Sequence, residues 1–204
     1  GHYDTAIAMA QEVADFGSRS ANAEYEAMGY LYLAHVASEA GQFERALEAC
    51  RLVRSLSHAV GDADGEAWGW LVEGRTYVRV HDPQAALPAL DRALARFTEI
   101  QDESALGVCH LDYGLALLDA DRARAQEHIA AALSSSRESM DAYSVIMALE
   151  AGARLLIGSE RYLDGAELMG ASERIHRHTR IVTPATEAAA LRHARELAAD
   201  AVGT

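Results

Sequence analysis

Arg75 and Arg79 stand four residues apart, a spacing that lays two guanidinium groups on one helix face as a fork for a carboxylate. The competing reading is that both are solvated or paired with neighbouring acids. Nine histidines invite a metal search, but none falls in an HExxH or CxxC context. His176 and His178, two apart, point away from each other on a helix and read as solvated surface side chains. The carboxylate pairs Asp62/Asp64 and Asp119/Asp121 fall in stretches that read as turns, where an Asp caps a helix by accepting backbone N–H bonds. No GxSxG elbow, Gly-rich phosphate fingerprint or Cys/His signature is present. The expectation is a chain that is not an enzyme, with no catalytic residue, no metal and no cofactor.

Composition narrows the chemistry further. The 204-residue chain has 18 Arg and no Lys, which excludes a Walker-type phosphate loop, a Schiff-base lysine and a lysine general base. Against 31 Asp+Glu this leaves a formal charge of −13. Such a balance opposes nucleic-acid binding, whose affinity is mostly counterion release from phosphates. Cys50 and Cys109 fall in apolar helical patterns and read as small buried hydrophobes rather than a disulfide. No apolar run approaches the length of about 18 residues needed to cross a membrane, and the start lacks a basic region followed by an apolar one. A cytoplasmic protein is expected, and Arg in place of every Lys beside abundant Ala suggests a high-GC bacterial genome.

The elements that must position these residues repeat along the chain. A turn followed by an aromatic residue or Pro, then Ala, recurs as GHYDTA from Gly1, GQFERA from Gly41, HDPQAA from His81, DRARAQ from Asp121 and ERYLDG from Glu160. The spacing is about forty residues, with Gln126 and Gly165 standing where Ala is expected. Each interval divides into two helical patterns. Ala27, Tyr30, Leu31, Ala34 and Ala37 recur at three- and four-residue steps, and after Gly41 so do Phe43, Ala46, Leu47, Cys50 and Val53. Pro83 suits a first-turn position, whereas Pro88 is the one local conflict, tolerable only within the first turn. Strand signals are missing. After Thr183 as N-cap and Pro184 as first helical residue, a last helix would bury Ala188, Leu191, Ala194, Leu197 and Ala198.

Trp70, Gly74 and Tyr77, followed by Pro83 and Ala86, resemble a tetratricopeptide repeat. The steric reasons are plain: Gly74 lets paired helices approach, Ala86 fits where they touch, and Trp70 and Tyr77 fill the gap between neighbouring repeats. Gly29-Tyr30 with Ala34, and His110 with Gly114, are weaker echoes. The implied fold is all-α: antiparallel helix-pair repeats of about forty residues in a right-handed α-solenoid with a C-terminal capping helix. It would be a single domain over 1–204, with repeats near 1–21, 22–61, 62–101, 102–139 and 140–180 and the cap at 184–202. In such arrays the first helix of each repeat lines the concave groove. The resemblance therefore places Trp68, Leu71, Arg75 and Arg79 there, with Met28, Leu31, His35 and Glu39, then Val108, Leu111, Leu115 and Asp119, then Met147, Glu150 and Arg154. The Lys and Asn that chaperone-binding repeats use in this groove are missing from these positions.

The segment Ala166 to Glu173, then Pro184 and an Ala/Arg-rich helix ending near Gly203, is similar to the end of the repeat region in large bacterial ATPase regulators of the LuxR, maltose-regulator and antibiotic-regulator types. Where that family often has an aromatic residue in the final helix, this chain has Ala190 and Leu191. The resemblance implies a non-catalytic module of a multidomain transcriptional regulator. Its groove would receive a protein, peptide or small effector, and its partners would include ATPase and DNA-binding domains of the same longer chain, with no direct nucleic-acid or membrane contact. The alternative is a stand-alone scaffold or peptide-sensing repeat protein with no transcriptional role. The first helical pattern, with Tyr3, Ile7, Val13 and Phe16, carries more apolar surface than the helix from Asn22 to Ala40 would cover, so homo-oligomers or fraying of residues 1–16 are also expected.

Overall fold

The computed structural model describes residues 2–179, 181 and 185–202. Among these there are ten helices and no strand: α1 His2–Arg19, α2 Ala23–Glu39, α3 Phe43–Val60, α4 Ala63–Arg79, α5 Pro83–Ile100, α6 Glu103–Leu117, α7 Arg122–Ser139, α8 Ala142–Gly158, α9 Tyr162–Thr179 and α10 Ala185–Val202. The fold is all-α and built of helix-pair repeats ending in a C-terminal helix. The chain forms two compact units, Gly1–Asp102 with α1 to α5 and Glu103–Thr204 with α6 to α10.

Turn chemistry sets the rhythm. Left-handed backbone occurs at Ala21, Gly41, Gly61, His81 and Gln101, and again at Met140 and Glu160. Only positions 41 and 61 are glycine, the residue that takes this conformation without a Cβ penalty. The next helix is then started by an Asx cap in most cases. Asn22, Asp62, Asp82 and Asp121 accept from the backbone N–H groups of Tyr25, Gly65, Ala85 and Arg124, and Asp141 accepts from Tyr143 and Ser144. Of the carboxylate pairs seen in the sequence, Asp62 and Asp121 are therefore caps, while Asp64 lies within α4 and Asp119 in the turn before α7.

Small residues set how closely the paired helices approach. Ala46, Ala86 and Ala125 are fully buried at the start of α3, α5 and α7. The position equivalent to Ala86 in the next repeat is thus Ala125 rather than Gln126, because α6 is two residues shorter than α2 or α4 while the turn after it is one residue longer. Gly165 fills the same role in α9, where a Cβ would meet Ile157 Cγ1 at 2.5 Å and the Ala153 carbonyl at 3.1 Å. Opposite Ala86, a Cβ on Gly74 would lie 2.6 Å from the Leu90 side chain and 3.4 Å from the Ala86 carbonyl. Gly29 faces the other way, onto α1, where a Cβ would lie 2.2 Å from the backbone nitrogen of Ala14.

In the first unit Ile7, Ala10, Leu33, Ala34, Ala49, Cys50 and Val72 form one apolar core, with Tyr30, Leu31 and Val36 packed against it. Phe16 is 56% exposed and meets Tyr25 edge-on at 6.2 Å. In the second unit α10 packs on α8 and α9, burying Leu191, Ala194 and Ala198 against Ala153, Ile157 and Met169. Leu197, expected on that face, is instead 42% exposed, because it falls beyond the stripe that Leu191, Ala194 and Ala198 define. The expected cap Thr183 and first-turn Pro184 lie outside the described residues. Pro88 departs from expectation too: it lies in the second turn of α5, on the exposed side. There the Gln84 carbonyl that loses its N–H partner faces solvent rather than the core, so the helix continues. Both cysteines are buried and free.

Candidate functional site

In the first unit, side chains of α2, the C-terminal turn of α3 and the first turns of α4 surround a cleft of about 590 Å³. Its apolar walls come from Ala27, Met28, Leu31 and Tyr32 on α2, Val53 and Val60 on α3, and Trp68 on α4. Glu24, Asp62 and Asp64 supply three carboxylates. The helices put them there for identifiable reasons. Glu24 and Asp64 lie in helix first turns, where negative charge meets the positive end of the helix dipole. Asp62 is held as the α4 cap, with Gly65 N–H donating to it at 3.0 Å and the Ser57 hydroxyl at 3.3 Å.

Trp68 is fixed from two sides. Its ring meets Phe97 edge-on at 5.4 Å, and its indole N–H donates to Asp64 one turn earlier. Partial burial, then the charges of Asp62 and Asp102, push the Asp64 carboxyl above its ordinary range despite that hydrogen bond. Tyr32, Val60 and Met28 are 53%, 45% and 37% exposed, so a chain of packed helices leaves three large apolar side chains at one opening. Carboxylates beside aromatic faces are a recognition arrangement: they accept hydrogen bonds and attract cations.

The groove residues expected from sequence separate into several environments. His35 lies 6.2 Å from Trp68, and burial together with the charges of Arg75 and Arg79 lowers its pKa to about 3. These four residues are thus brought to one region of the first unit. Arg79, however, is committed to the fold: its Nη1 donates to Ser38 Oγ at 2.9 Å, and Ser38 also accepts from Thr76 Oγ1 at 3.0 Å. Glu39 is half-buried at the end of α2, whereas Leu71, Leu111 and Met147 are core rather than groove.

In the second unit Glu150 is buried and turned toward α9. It accepts from Ser172 Oγ at 2.8 Å and is 3.0 Å from His176 Nε2. His176 is therefore not a solvated surface histidine. Its burial opposes charge, but the hydrogen bonds to Glu150 and to the Ile181 carbonyl, with the Glu150 charge, outweigh it and raise the pKa. Arg154 lines a separate cavity of about 280 Å³ with Asp119, Arg122 and His193. Burial lowers its pKa against the opposing charges of Glu187 and Asp119.

Two arrangements escaped the sequence reading. Arg54 donates to Glu73 at 2.5 Å and stacks on Trp70, which also carries Arg92. His110 and His128 share an Nδ1 to Nδ1 hydrogen bond of 2.9 Å, and His128 stacks on Tyr113 at 4.3 Å. In both cases the partners come from different helices, so only the helix pairing brings them together. Among the described residues no group of three or more His, Cys, Asp or Glu could hold a metal ion, and no helix is long and apolar enough to cross a membrane. No family model and no curated protein matches the chain.

Proposed function

We propose that this chain is a non-catalytic binding module, the repeat region of a multidomain bacterial transcriptional regulator acting in the cytoplasm. It receives a protein or peptide and passes the signal to ATPase or DNA-binding domains of the same longer chain. The observation that carries the binding role is the 590 Å³ cleft of the first unit, where Met28, Tyr32 and Val60 remain exposed. Clefts of this size with apolar walls and a few placed polar groups are where ligands are held. The regulator context is supported by the similarity of Ala166 to Glu173 and of the final helix to that family.

Peptide display against the immobilised chain tests the binding role. Enriched peptides are expected to bind in solution and to lose most of their affinity on Tyr32→Ala. A selection that enriches nothing, or only peptides indifferent to Tyr32→Ala and Val60→Ser, overturns it.

A further inference from the structure

The cleft of the first unit has a charge character that narrows its partner. Among the described residues that line it, Glu24, Asp62 and Asp64 are the charged ones and none is cationic. The chain as a whole carries −13, so its field also attracts positive segments. Tyr32 and Trp68 offer aromatic surface beside the carboxylates, and guanidinium groups stack well on such rings. The same chain already uses that chemistry internally, with Arg54 3.8 Å and Arg92 4.3 Å from the Trp70 ring centre.

From this juxtaposition of an acidic rim, two aromatic rings and exposed Met28 and Val60, we infer that the cleft docks a cationic amphipathic segment of a partner protein, with Arg or Lys against Glu24 and Asp64 and aliphatic side chains against Met28 and Val60. The inference rests on the binding role proposed above and specifies the partner's chemistry. A purely apolar segment would leave the carboxylates facing a drier surface with nothing to neutralise them, and an acidic one would add like-charge repulsion. Asp64 is already crowded by Asp62 and Asp102, so an incoming cation relieves repulsion as well as forming new contacts.

The probes are a labelled peptide of repeated Leu-Leu-Arg-Ala units and its counterpart with Glu for Arg, titrated against the full chain by fluorescence anisotropy. The Arg peptide is expected to bind about tenfold or more tighter than the Glu peptide and to weaken as salt rises. Glu24→Gln with Asp64→Asn is expected to remove most of that difference; both side chains are on the exposed side of their helices, and circular dichroism confirms folding. Tyr32→Arg, which places a cation in the cleft without touching a cap, should do the same. Equal binding of the two peptides, no binding of the Arg peptide, or indifference to both variants overturns the inference. Competition by free spermidine at the peptide's own concentration also overturns it, since the site would then recognise a bare cation. Peptides from the display selection that still depend on Tyr32 would leave the broader binding role standing.

Discussion

Arg54 of α3 lies 3.8 Å above the Trp70 ring of α4, and that contact joins one helix pair to the next. Glu73, one turn along α4, holds the same guanidinium at 2.5 Å, while Arg92 of α5 covers Trp70 as well. Trp70→Ala therefore removes a half-buried ring and two cation–π contacts together. A loss of about 2–4 kcal/mol is expected in urea unfolding of the first unit. A change under about 0.5 kcal/mol would show that the ring only decorates the surface.

Two of the glycines at helix crossings, Gly74 and Gly29, should differ in severity. Gly74→Ala presses on Cγ and Cδ2 of the buried Leu90 side chain, which must repack, and about 1–3 kcal/mol of overpacking is expected. Gly29→Ala presses on the Ala14 backbone, which cannot rotate away, so α1 and α2 must separate. Comparison of thermal midpoints checks this, and a milder effect at Gly29 would contradict the close approach.

Five described junction residues other than glycine hold left-handed backbone at a cost, His81 and Met140 among them. His81 and Met140 have φ of 58° and 53°, and Met140 is 87% exposed. Replacing Met140 with Gly loses little packing and relieves a conformation that costs an L-residue about 1 kcal/mol, partly offset by the greater freedom of Gly in the unfolded chain. Met140→Gly should raise stability by a few tenths up to about 1 kcal/mol, whereas Met140→Val should lower it, as read from denaturation midpoints.

Three histidines respond to acid in opposite directions. His35, with a folded pKa of about 3, takes up its proton later than in the unfolded chain. Its contribution is intact above about pH 6.5 and is lost as pH falls below that, by at most about 1.4 kcal/mol per pH unit. His110, lowered by burial, acts in the same sense. His176 is raised, so its contribution is full below about pH 6.5 and fades as pH rises through its folded value. As pH falls from 7.5 to 5, protection against hydrogen exchange, taken relative to the intrinsic rate at each pH, should fall around α2 and rise around the contact of α8 with α9. His35→Leu should flatten the first trend and His176→Gln the second.

The helix pairs were legible in the sequence because capping, small-residue spacing and the Trp70, Gly74 and Tyr77 pattern all act over a few residues. What was not legible depends on which way a side chain turns between two helices. Glu150 has the same helical offset as a groove residue yet faces Ser172 and His176. Leu71 is similarly core. The acidic character of the cleft is not legible in the sequence either, since Glu24 and Asp64 stand 40 residues apart and meet only when α2 and α4 pack side by side. Even the one-residue shift to Ala125 has a local cause: α6 ends two residues earlier than α2 or α4 do, and the turn after it restores only one of them.

Within each unit every helix packs chiefly on its neighbours in sequence, α1 on α2, α2 on α3, and α8 on α9 among them. Few contacts need to close a long loop, so the entropic search before the first productive encounter is short. Any hairpin of adjacent helices can serve as a starting point, and order then spreads along the chain one helix at a time. Such a protein folds quickly for its size and comes apart progressively.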